Sequence, residues 1–263
     1  MPRFASGADP GSSFSDLLRA SMPQALSWAN LDPAAAAGQF EVTHATTVVS
    51  IRYDGGVVLA GDRRATEGHS IASRRIQKVY PGDRFCGVAI AGAAGPAMEM
   101  VHLFQTELEH YEKVEGIALS LEGKANKLGQ MVRANLPAAM QGLGVIPLFC
   151  GYDLGQEQGR IFRYDMTGGR YEEVDFHSTG SGGVHARNWI KASWRPDMGA
   201  NDAVGLALNA LFQAADEDSA TGGPDLVRGI YPSIATIDAE GFRAMDDPSV
   251  EALARTLLGE TSP

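Results

Sequence analysis

Residues 46–62 read TTVVSIRYDGGVVLAGD, a stretch that predicts two β-strands joined by a tight turn. β-branched residues dominate both halves, and the Asp-Gly-Gly sequence at 54–56 is a strong hairpin signal. The stretch opens on two threonines and follows a leader, residues 1–45, that is rich in Ala, Ser, Pro and Gly. On its own such a stretch is typical of an ordinary half-buried strand, so its meaning depends on the rest of the chain.

The junction before the first threonine is a candidate processing point. If the bond between Ala45 and Thr46 is cut, Thr46 gains a free α-amino group beside its own hydroxyl. An α-amino group has an ordinary pKa of roughly 8, close enough to neutrality for the amine to act as a base. A threonine hydroxyl is a weak nucleophile without such a base. The junction therefore predicts a nucleophile that is made by cutting the chain.

Composition narrows the class of protein. The 263 residues are 44% hydrophobic and 21% charged, which is enough for the core of one domain of about 200 residues plus a tail. The net charge of −10 argues against non-specific nucleic-acid binding. The first residues do not have the pattern of a secretory signal. No apolar run of about 18 residues is present, so we expect no membrane span. Cys86 and Cys150 lie in apolar runs and predict buried thiols in a reducing compartment, so we expect a cytoplasmic protein.

Strand and helix patterns follow one another in blocks. After the first hairpin come strand patterns at 75–80 and 85–91, helical patterns at 95–110 and 120–136, and strand patterns at 145–152, 160–165 and 171–177. Helical patterns at 182–194 and 202–216, a hairpin at 230–244 and a helix at 249–258 complete the chain. This order favours two sheets stacked between helices over alternating βαβ units.

Two charged residues are expected near the first threonine. Asp62 ends the second strand, which the hairpin returns beside Thr46. Lys78 lies in the third strand pattern, where an unpaired buried ammonium would be costly, so it needs a partner. We predict that Asp62 holds Lys78 and that Lys78 holds the Thr46 hydroxyl. The positive charge would lower the pKa values of the hydroxyl and the amine and so favour proton transfer at neutral pH.

Five motifs follow one another along the chain: TTVVSIRYDGGVVLAGDRRATEG at 46–68, RIQKVY at 75–80, IAGAAG at 90–95, TGSGG at 179–183 and DEDSATGGPDLVRG at 216–229. In this order they resemble the β subunits of actinobacterial 20S proteasomes, over residues 46 to about 237. The resemblance implies an α+β fold, the four-layer αββα sandwich of the N-terminal-nucleophile hydrolases, over residues 46–263. It also implies that residues 1–45 are a largely flexible propeptide.

The resemblance assigns roles to residues of the chemical site. Thr46 matches the nucleophile, and Asp62 and Lys78 match its catalytic partners. Gly92 matches the glycine whose N–H stabilises the tetrahedral oxyanion. The hydroxyl and carboxyl groups that the family places around the nucleophile are matched by Ser181, Asp218 and Thr221.

The resemblance also assigns substrate-binding residues. Thr66 and Ala94 match positions that hold the substrate as an extended strand through main-chain hydrogen bonds. The side chains that match the first specificity pocket are Ala65, Ile76, Ile90 and Met98. All four are apolar, which predicts a chymotrypsin-like preference.

An assembled threonine-type endopeptidase is the activity that the resemblance implies. It implies seven-membered rings of β subunits stacked on rings of α subunits, and a ring-shaped ATPase that feeds unfolded polypeptides, often tagged with a ubiquitin-like protein. No cofactor and no metal are expected, and no nucleic-acid or membrane partner. One position departs from the family pattern: Ala45 stands where a glycine commonly precedes the nucleophile, so we expect slower processing at worst. The apolar patches of the leader around residues 14–28 are expected to dock on neighbouring subunits.

Two other functions compete with this one. A catalytically silent β subunit would only build the ring, but it would have no reason to keep the complete set Thr46, Asp62, Lys78, Ser181 and Asp218. The simpler bacterial two-ring threonine protease fits less well, because the long leader and the motif at 218–223 count against it.

A di-iron site is a third reading of part of the sequence. Glu-x-x-His pairs occur at 99–102 and at 107–110. The ligand pairs of such a site must come from different helices, whereas both of these pairs lie on one predicted helix, so we predict no metal site.

Overall fold

The computed structural model describes residues 11–22, 46–257 and 259. The predicted hairpin forms: Tyr53 pairs with Gly56 and Val48 with Gly61 across its two antiparallel strands. These strands are β1 (Thr47–Tyr53) and β2 (Gly56–Gly61). Gly55 has φ +94°, a conformation that the turn requires and that glycine adopts without strain. The hairpin formed by residues 47–61 supplies two neighbouring strands of the first sheet.

The first sheet has five strands in the order β10-β1-β2-β11-β12, all antiparallel. Its other members are β10 (Phe176–Gly180), β11 (Ser233–Asp238) and β12 (Gly241–Ala244). The second sheet has the order β5-β6-β7-β8-β9, also antiparallel. Its strands are β5 (Val79–Asp83), β6 (Cys86–Gly92), β7 (Val145–Asp153), β8 (Gln158–Tyr164) and β9 (Arg170–Glu173). A separate small hairpin joins β3 (Ala65–Glu67) and β4 (Ser70–Ser73).

Helices accompany both sheets, so the fold is α+β. In chain order they are α1 (Phe14–Ser21), α2 (Ala94–Glu115), α3 (Leu121–Ala134), α4 (Leu136–Ala139), α5 (Gly183–Ser193), α6 (Ala200–Glu217) and α7 (Asp247–Leu257). Ser120 caps α3 by accepting a hydrogen bond from the N–H of Gly123 at 3.1 Å, as its hydroxyl side chain predicts. Among the described residues, no helix is both long and apolar enough to cross a membrane.

Three apolar clusters form the core. One joins strands of the first sheet to α5, α6 and α7, through residues such as Val49, Leu211 and Val250. A second joins the second sheet to α2 and α3, with Phe104 and Phe149 in edge-to-face contact. The third takes residues from both sheets: Val48, Val57 and Leu59 from the first, and Ala89, Leu148 and Ile161 from the second.

Two predicted strands were wrong in their bounds. The pattern at 75–80 predicted a strand through Lys78, but β5 begins only at Val79 and continues to Asp83. The chain turns at residues 84–85, where the Asp83 side chain accepts a hydrogen bond from the N–H of Phe85 at 2.9 Å. The pattern at 171–177 predicted one strand, but it contains the end of β9 and the start of β10, which belong to different sheets. The break follows from Asp175, whose carbonyl accepts a hydrogen bond from the N–H of Arg52 in the first sheet at 2.7 Å.

Part of the leader is among the described residues. Ser13 caps α1, which packs against α2. The rest of the apolar region expected at 14–28, from residue 23 onward, lies outside the described residues, as does Ala45.

Candidate active site

The first hairpin places Thr46 and Asp62 side by side. The N–H of Thr47 donates to Oδ1 of Asp62 at 2.8 Å, and the N–H of Asp62 donates to the carbonyl of Thr47 at 3.1 Å. These bonds form because Asp62 follows the last residue of β2 while Thr46 precedes the first residue of β1. Thr46 is only 5% exposed. The spatial relation predicted between the hairpin ends is therefore present.

The carboxylate of Asp62 is buried and receives four hydrogen bonds. Oδ1 accepts from the N–H of Thr47 and from Nζ of Lys78, the latter at 2.6 Å. Oδ2 accepts from the N–H groups of Arg64 and Gly222, each at 2.9 Å. A buried charge is tolerated when it is paired and fully hydrogen-bonded, and these donors meet that condition. Asp62 thus joins β1, the loop after β2, Lys78 and the segment after α6.

Lys78 lies directly before β5 and is buried. Its Nζ donates to Asp62 Oδ1 and also to the carbonyl of Arg64 at 2.6 Å. Burial lowers the pKa of Lys78 below its ordinary value; the charge of Asp62 opposes this shift only in part. Lys78 and Thr46 line the same small pocket. The structure therefore brings together the three residues predicted to act as a set.

A second group of polar side chains is connected to Thr46 through Ser181. Asp218 follows α6, and its Oδ2 accepts hydrogen bonds from the hydroxyls of Ser181 and Thr221, both at 2.6 Å. Burial raises the pKa of Asp218, but these hydroxyl donors outweigh burial and hold the pKa below its ordinary value. The N–H of Ser181 donates to the carbonyl of Thr46 at 2.9 Å. Ser181 thus connects the Asp218 carboxylate to the residue expected to be the nucleophile.

Thr47 takes part in this group, which the sequence did not predict. Its Oγ1 lies 2.6 Å from Oγ1 of Thr221 and accepts a hydrogen bond from the N–H of Gly182 at 2.9 Å. Since the Thr221 hydroxyl donates its proton to Asp218, Thr47 is the donor to Thr221. A hydroxyl directly after the expected nucleophile was the available signal, but only the structure shows which face of β1 carries it.

Two glycines form the backbone around Thr46. Gly180 has φ +102°, and a Cβ there would lie 1.7 Å from the carbonyl oxygen of Thr46. Gly92 has φ +114°, and a Cβ there would lie 2.1 Å from the carbonyl oxygen of Gly144. Only glycine fits either position. The role of Gly180 was not predicted, because the TGSGG motif does not reveal which glycine approaches the first strand.

The pocket beside Thr46 contains most of the predicted substrate-binding residues. It is lined by Thr46, Ala65, Ile76, Lys78, Ile90, Gly92, Ala94 and Ala97. Met98 was expected in this pocket; its side chain is instead 43% exposed, and Ala97 lines the wall. The reason is helical geometry, because neighbouring residues of α2 point in different directions. Ala94, the first residue of α2, lines the pocket, whereas Thr66, in β3, is not among its lining residues.

A wider cleft shares Gly92 with this pocket. Its volume is about 510 Å³, and its lining includes Gly92, Gly144, Met166, Gly180 and Ser181. Most of the lining is small or apolar, so an extended polypeptide can approach the backbone closely. Within the described part of the chain, no group of three or more His, Cys, Asp and Glu side chains is arranged to hold a metal ion.

Comparisons with known proteins give a consistent result. A protein-family profile described as Proteasome subunit matches residues 42–227. The chain is 55% identical over 256 residues to a protein named Proteasome subunit beta from Acidimicrobium ferrooxidans, covering 97% of this chain and 92% of that relative. It is 54% identical over 250 residues to the protein of the same name from Streptomyces griseus, covering 95% of this chain and 89% of that relative.

Proposed function

This chain belongs to the proteasome family, and from that premise we propose that it is a catalytic β subunit of the 20S core particle, a threonine endopeptidase. The observation that carries the proposal is the buried Asp62–Lys78 ion pair, at 2.6 Å, hydrogen-bonded to the strand that starts beside Thr46. Buried ion pairs contribute little to stability and are costly when broken, so a functional reason for keeping one is the stronger explanation.

The fold supports the same class of enzyme. We infer a four-layer αββα sandwich from the three apolar clusters, which join helices to the first sheet, one sheet to the other, and the second sheet to helices. In this arrangement Thr46 lies where both sheets reach the site, since Gly92 ends β6 of the second sheet and Gly180 ends β10 of the first. Rigid strands thus position groups on both sides of the nucleophile.

Leader removal is the first step of the proposed mechanism. The Thr46 hydroxyl attacks the carbonyl carbon of Ala45, and the bond to the Thr46 nitrogen breaks, which leaves an ester between Ala45 and Thr46. The nitrogen takes the proton of the hydroxyl and becomes the free amine of Thr46. Water then hydrolyses the ester, which leaves a carboxylate on Ala45 and restores the Thr46 hydroxyl. The hydrogen bond from the N–H of Ser181 to the Thr46 carbonyl supports this step, because it holds Thr46 in position while the chain is still intact.

Peptide hydrolysis then uses the new amine as the base. It takes the proton of the Thr46 hydroxyl while the oxygen attacks the scissile carbonyl carbon of the substrate. The positive charge of Lys78 lowers the energy of the developing alkoxide, and the N–H of Gly92 donates to the tetrahedral oxyanion. The carbon–nitrogen bond breaks, the amine returns its proton to the leaving peptide, and an acyl ester on Thr46 remains. Water activated by the same amine releases the second product.

Substrate binding follows from the surfaces around Thr46. Main-chain groups of Thr66 and Ala94 hold the substrate as an added strand. Ala65, Ile76 and Ile90 receive an apolar side chain, since all three line the pocket. The cleft beside Gly180 and Ser181 receives the part of the polypeptide that leaves first. We propose that rings of β and α subunits enclose the site in a chamber in the cytoplasm. A ring-shaped ATPase delivers polypeptides into this chamber, which only unfolded chains can enter.

A catalytically silent ring subunit is the remaining alternative, and covalent labelling separates the two. The chain is co-assembled with its α subunits and treated with a peptide vinyl sulfone, which adds to a nucleophilic oxygen. A catalytic subunit acquires one adduct on the peptide that begins with Thr46. Lys78→Ala abolishes the adduct, whereas Lys113→Ala, which removes an exposed lysine from α2, does not. Assembled rings without an adduct would establish the silent subunit instead.

A further inference from the structure

The leader helix α1 is held on α2 by a carboxylate at its N-terminal end. Glu107 of α2 accepts hydrogen bonds from the N–H of Phe14 at 3.1 Å and from the N–H of Ser15 at 2.8 Å. The Ser15 hydroxyl donates a third bond to Glu107 at 2.9 Å. The first N–H groups of a helix have no partners within the helix, and the helix dipole favours a negative charge there. Glu107 therefore supplies what the start of α1 requires.

Two neighbours complete this contact. Lys127 of α3 pairs with Glu107 at 2.5 Å, and the ring of Phe14 lies 5.5 Å from the ring of His110, tilted by 55°. Glu107 is completely buried when α1 is present. Glu107 and His110 are three residues apart on α2, so both face the leader helix. We refer to Glu107, His110 and Lys127 as the leader-docking surface.

The leader-docking surface is independent of the expected cleavage point. Helix α1 ends at Ser21, whereas the bond to be cut follows residue 45. The contacts of Phe14 and Ser15 with Glu107 all lie on the upstream side of that bond. Cleavage therefore breaks none of them.

We propose that the leader-docking surface is a binding site for the N-terminus of helix α1 that retains the leader non-covalently after the chain is cut. This inference rests on the proposed leader removal, but it concerns the fate of the released segment rather than the chemistry of the cut. Departure of the leader is then a separate dissociation step. Once the leader has left, Glu107 and Lys127 become accessible on this face.

An added protease tests retention without relying on Thr46. The full chain carries Thr46→Ala, to prevent self-cleavage, and a recognition sequence for a site-specific endoprotease inserted after Ala35. After complete cutting, gel filtration at micromolar concentration and native mass spectrometry are expected to show the leader fragment bound to the domain. Glu107→Gln removes the charge and is expected to weaken binding by about tenfold or more. Glu109→Gln, the same change at an exposed position of α2, is the control and leaves binding unchanged.

Variants in the leader keep the test valid if Glu107→Gln fails to fold. Ser15→Ala removes one hydrogen bond and is expected to weaken retention by about three- to tenfold, with the melting temperature of the cut domain unchanged. Prompt separation of the unsubstituted fragment from the domain would overturn the proposal. Retention in the Ser15→Ala and Glu107→Gln chains equal to that in the unsubstituted chain would also overturn it. Failure of self-cleavage in the natural chain would contradict only the proposed function, because the added protease makes the cut here.

Discussion

At the scale of single residues, Asp62 holds the candidate site together. One carboxylate oxygen connects the strand after Thr46 to Lys78, and the other connects the loop after β2 to the segment after α6. The charge of this carboxylate also raises the pKa of Lys78 against the effect of burial. Asp62 therefore positions groups and also favours the charged form of Lys78.

Replacement of Asp62 by Asn tests that role. The amide is neutral, so the charge that opposes the effect of burial is lost and the pKa of Lys78 falls further. In addition, the NH₂ group of Asn replaces one carboxylate oxygen of Asp62, so it faces N–H donors and cannot accept their hydrogen bonds. We expect leader removal to slow by at least about a hundredfold, measured as a time course of intact mass after assembly with α subunits. Asp54→Asn, an exposed change in the turn of the same hairpin, is expected to leave the rate unchanged. Equal rates for the two variants would contradict the role given to Asp62.

Gly180 gives a steric test at the same scale. Gly180→Ala places a Cβ 1.7 Å from the carbonyl oxygen of Thr46 at a positive φ, so Thr46 must move. We expect a loss of about 1–3 kcal/mol in unfolding free energy and no leader removal. Gly205→Ala, in the middle of α6 with open space around the new methyl, is the matched control and is expected to stabilise by about 0.5–1 kcal/mol. Normal processing of Gly180→Ala would show that the position of Thr46 is not critical.

The sequence alone predicted part of this residue-level arrangement. Asp62 could be placed beside Thr46 because a tight turn fixes the register of an antiparallel hairpin, so that the end of the second strand lies beside the start of the first. The partners of Thr47 could not be predicted, since Gly182 and Thr221 are 135 and 174 residues away along the chain. Contacts at such distances depend on how α5 and α6 pack, which local patterns do not specify.

At the scale of elements, β10 connects the site to the edge of the first sheet. It pairs with β1 along its length, from Thr47 opposite Gly180 to Ile51 opposite Phe176. His177, opposite Ser50, has a side chain that is 12% exposed. Burial lowers the pKa of His177 to about 4; Glu173 opposes the shift, and Arg187 and Arg163 add to it.

This histidine predicts how stability depends on pH. An unfolded histidine has a pKa of about 6.5, so between that value and the folded value of about 4 only the unfolded chain binds the proton. The unfolding free energy therefore falls as the pH falls through this window, by up to about 3 kcal/mol. Chemical unfolding at pH 7 and pH 4.5 measures how much the unfolding free energy changes with pH. We expect His177→Gln to reduce this slope. His69→Gln, in the exposed turn between β3 and β4, is the control and is expected to leave it unchanged. An unchanged slope in His177→Gln would assign the pH dependence to other groups.

Element prediction succeeded where periodicity was long and failed at short strands. The 22 residues of α2 carry a repeated apolar face, and the helix was predicted from it. The four residues of β9 and the start of β10 were predicted as one strand. Alternation of polar and apolar side chains indicates a strand, but it cannot show that the chain passes from one sheet to another. The small hairpin of β3 and β4 was not predicted, since its strands are short and partly polar.

At the scale of the whole molecule, helix α1 of the leader packs against helix α2 of the domain. Helix α1 is anchored far from the cut in sequence, on α2, whose first residue lies at the pocket beside Thr46. The same helix α2 thus contacts the leader at Glu107 and the candidate site at Ala94. The leader-docking surface was invisible in the sequence, where Glu107 and His110 formed only a pair that resembled a metal-ligand motif.

The central claim is that Thr46 exposes itself as a nucleophile by removing its own leader. Its most direct test is the intact mass of this chain after co-expression and assembly with its α partner, compared with that of Thr46→Ala. We expect the unsubstituted chain to lose residues 1–45 and the Thr46→Ala chain to keep them. Assembled rings in which the unsubstituted chain retains the full leader would contradict the claim.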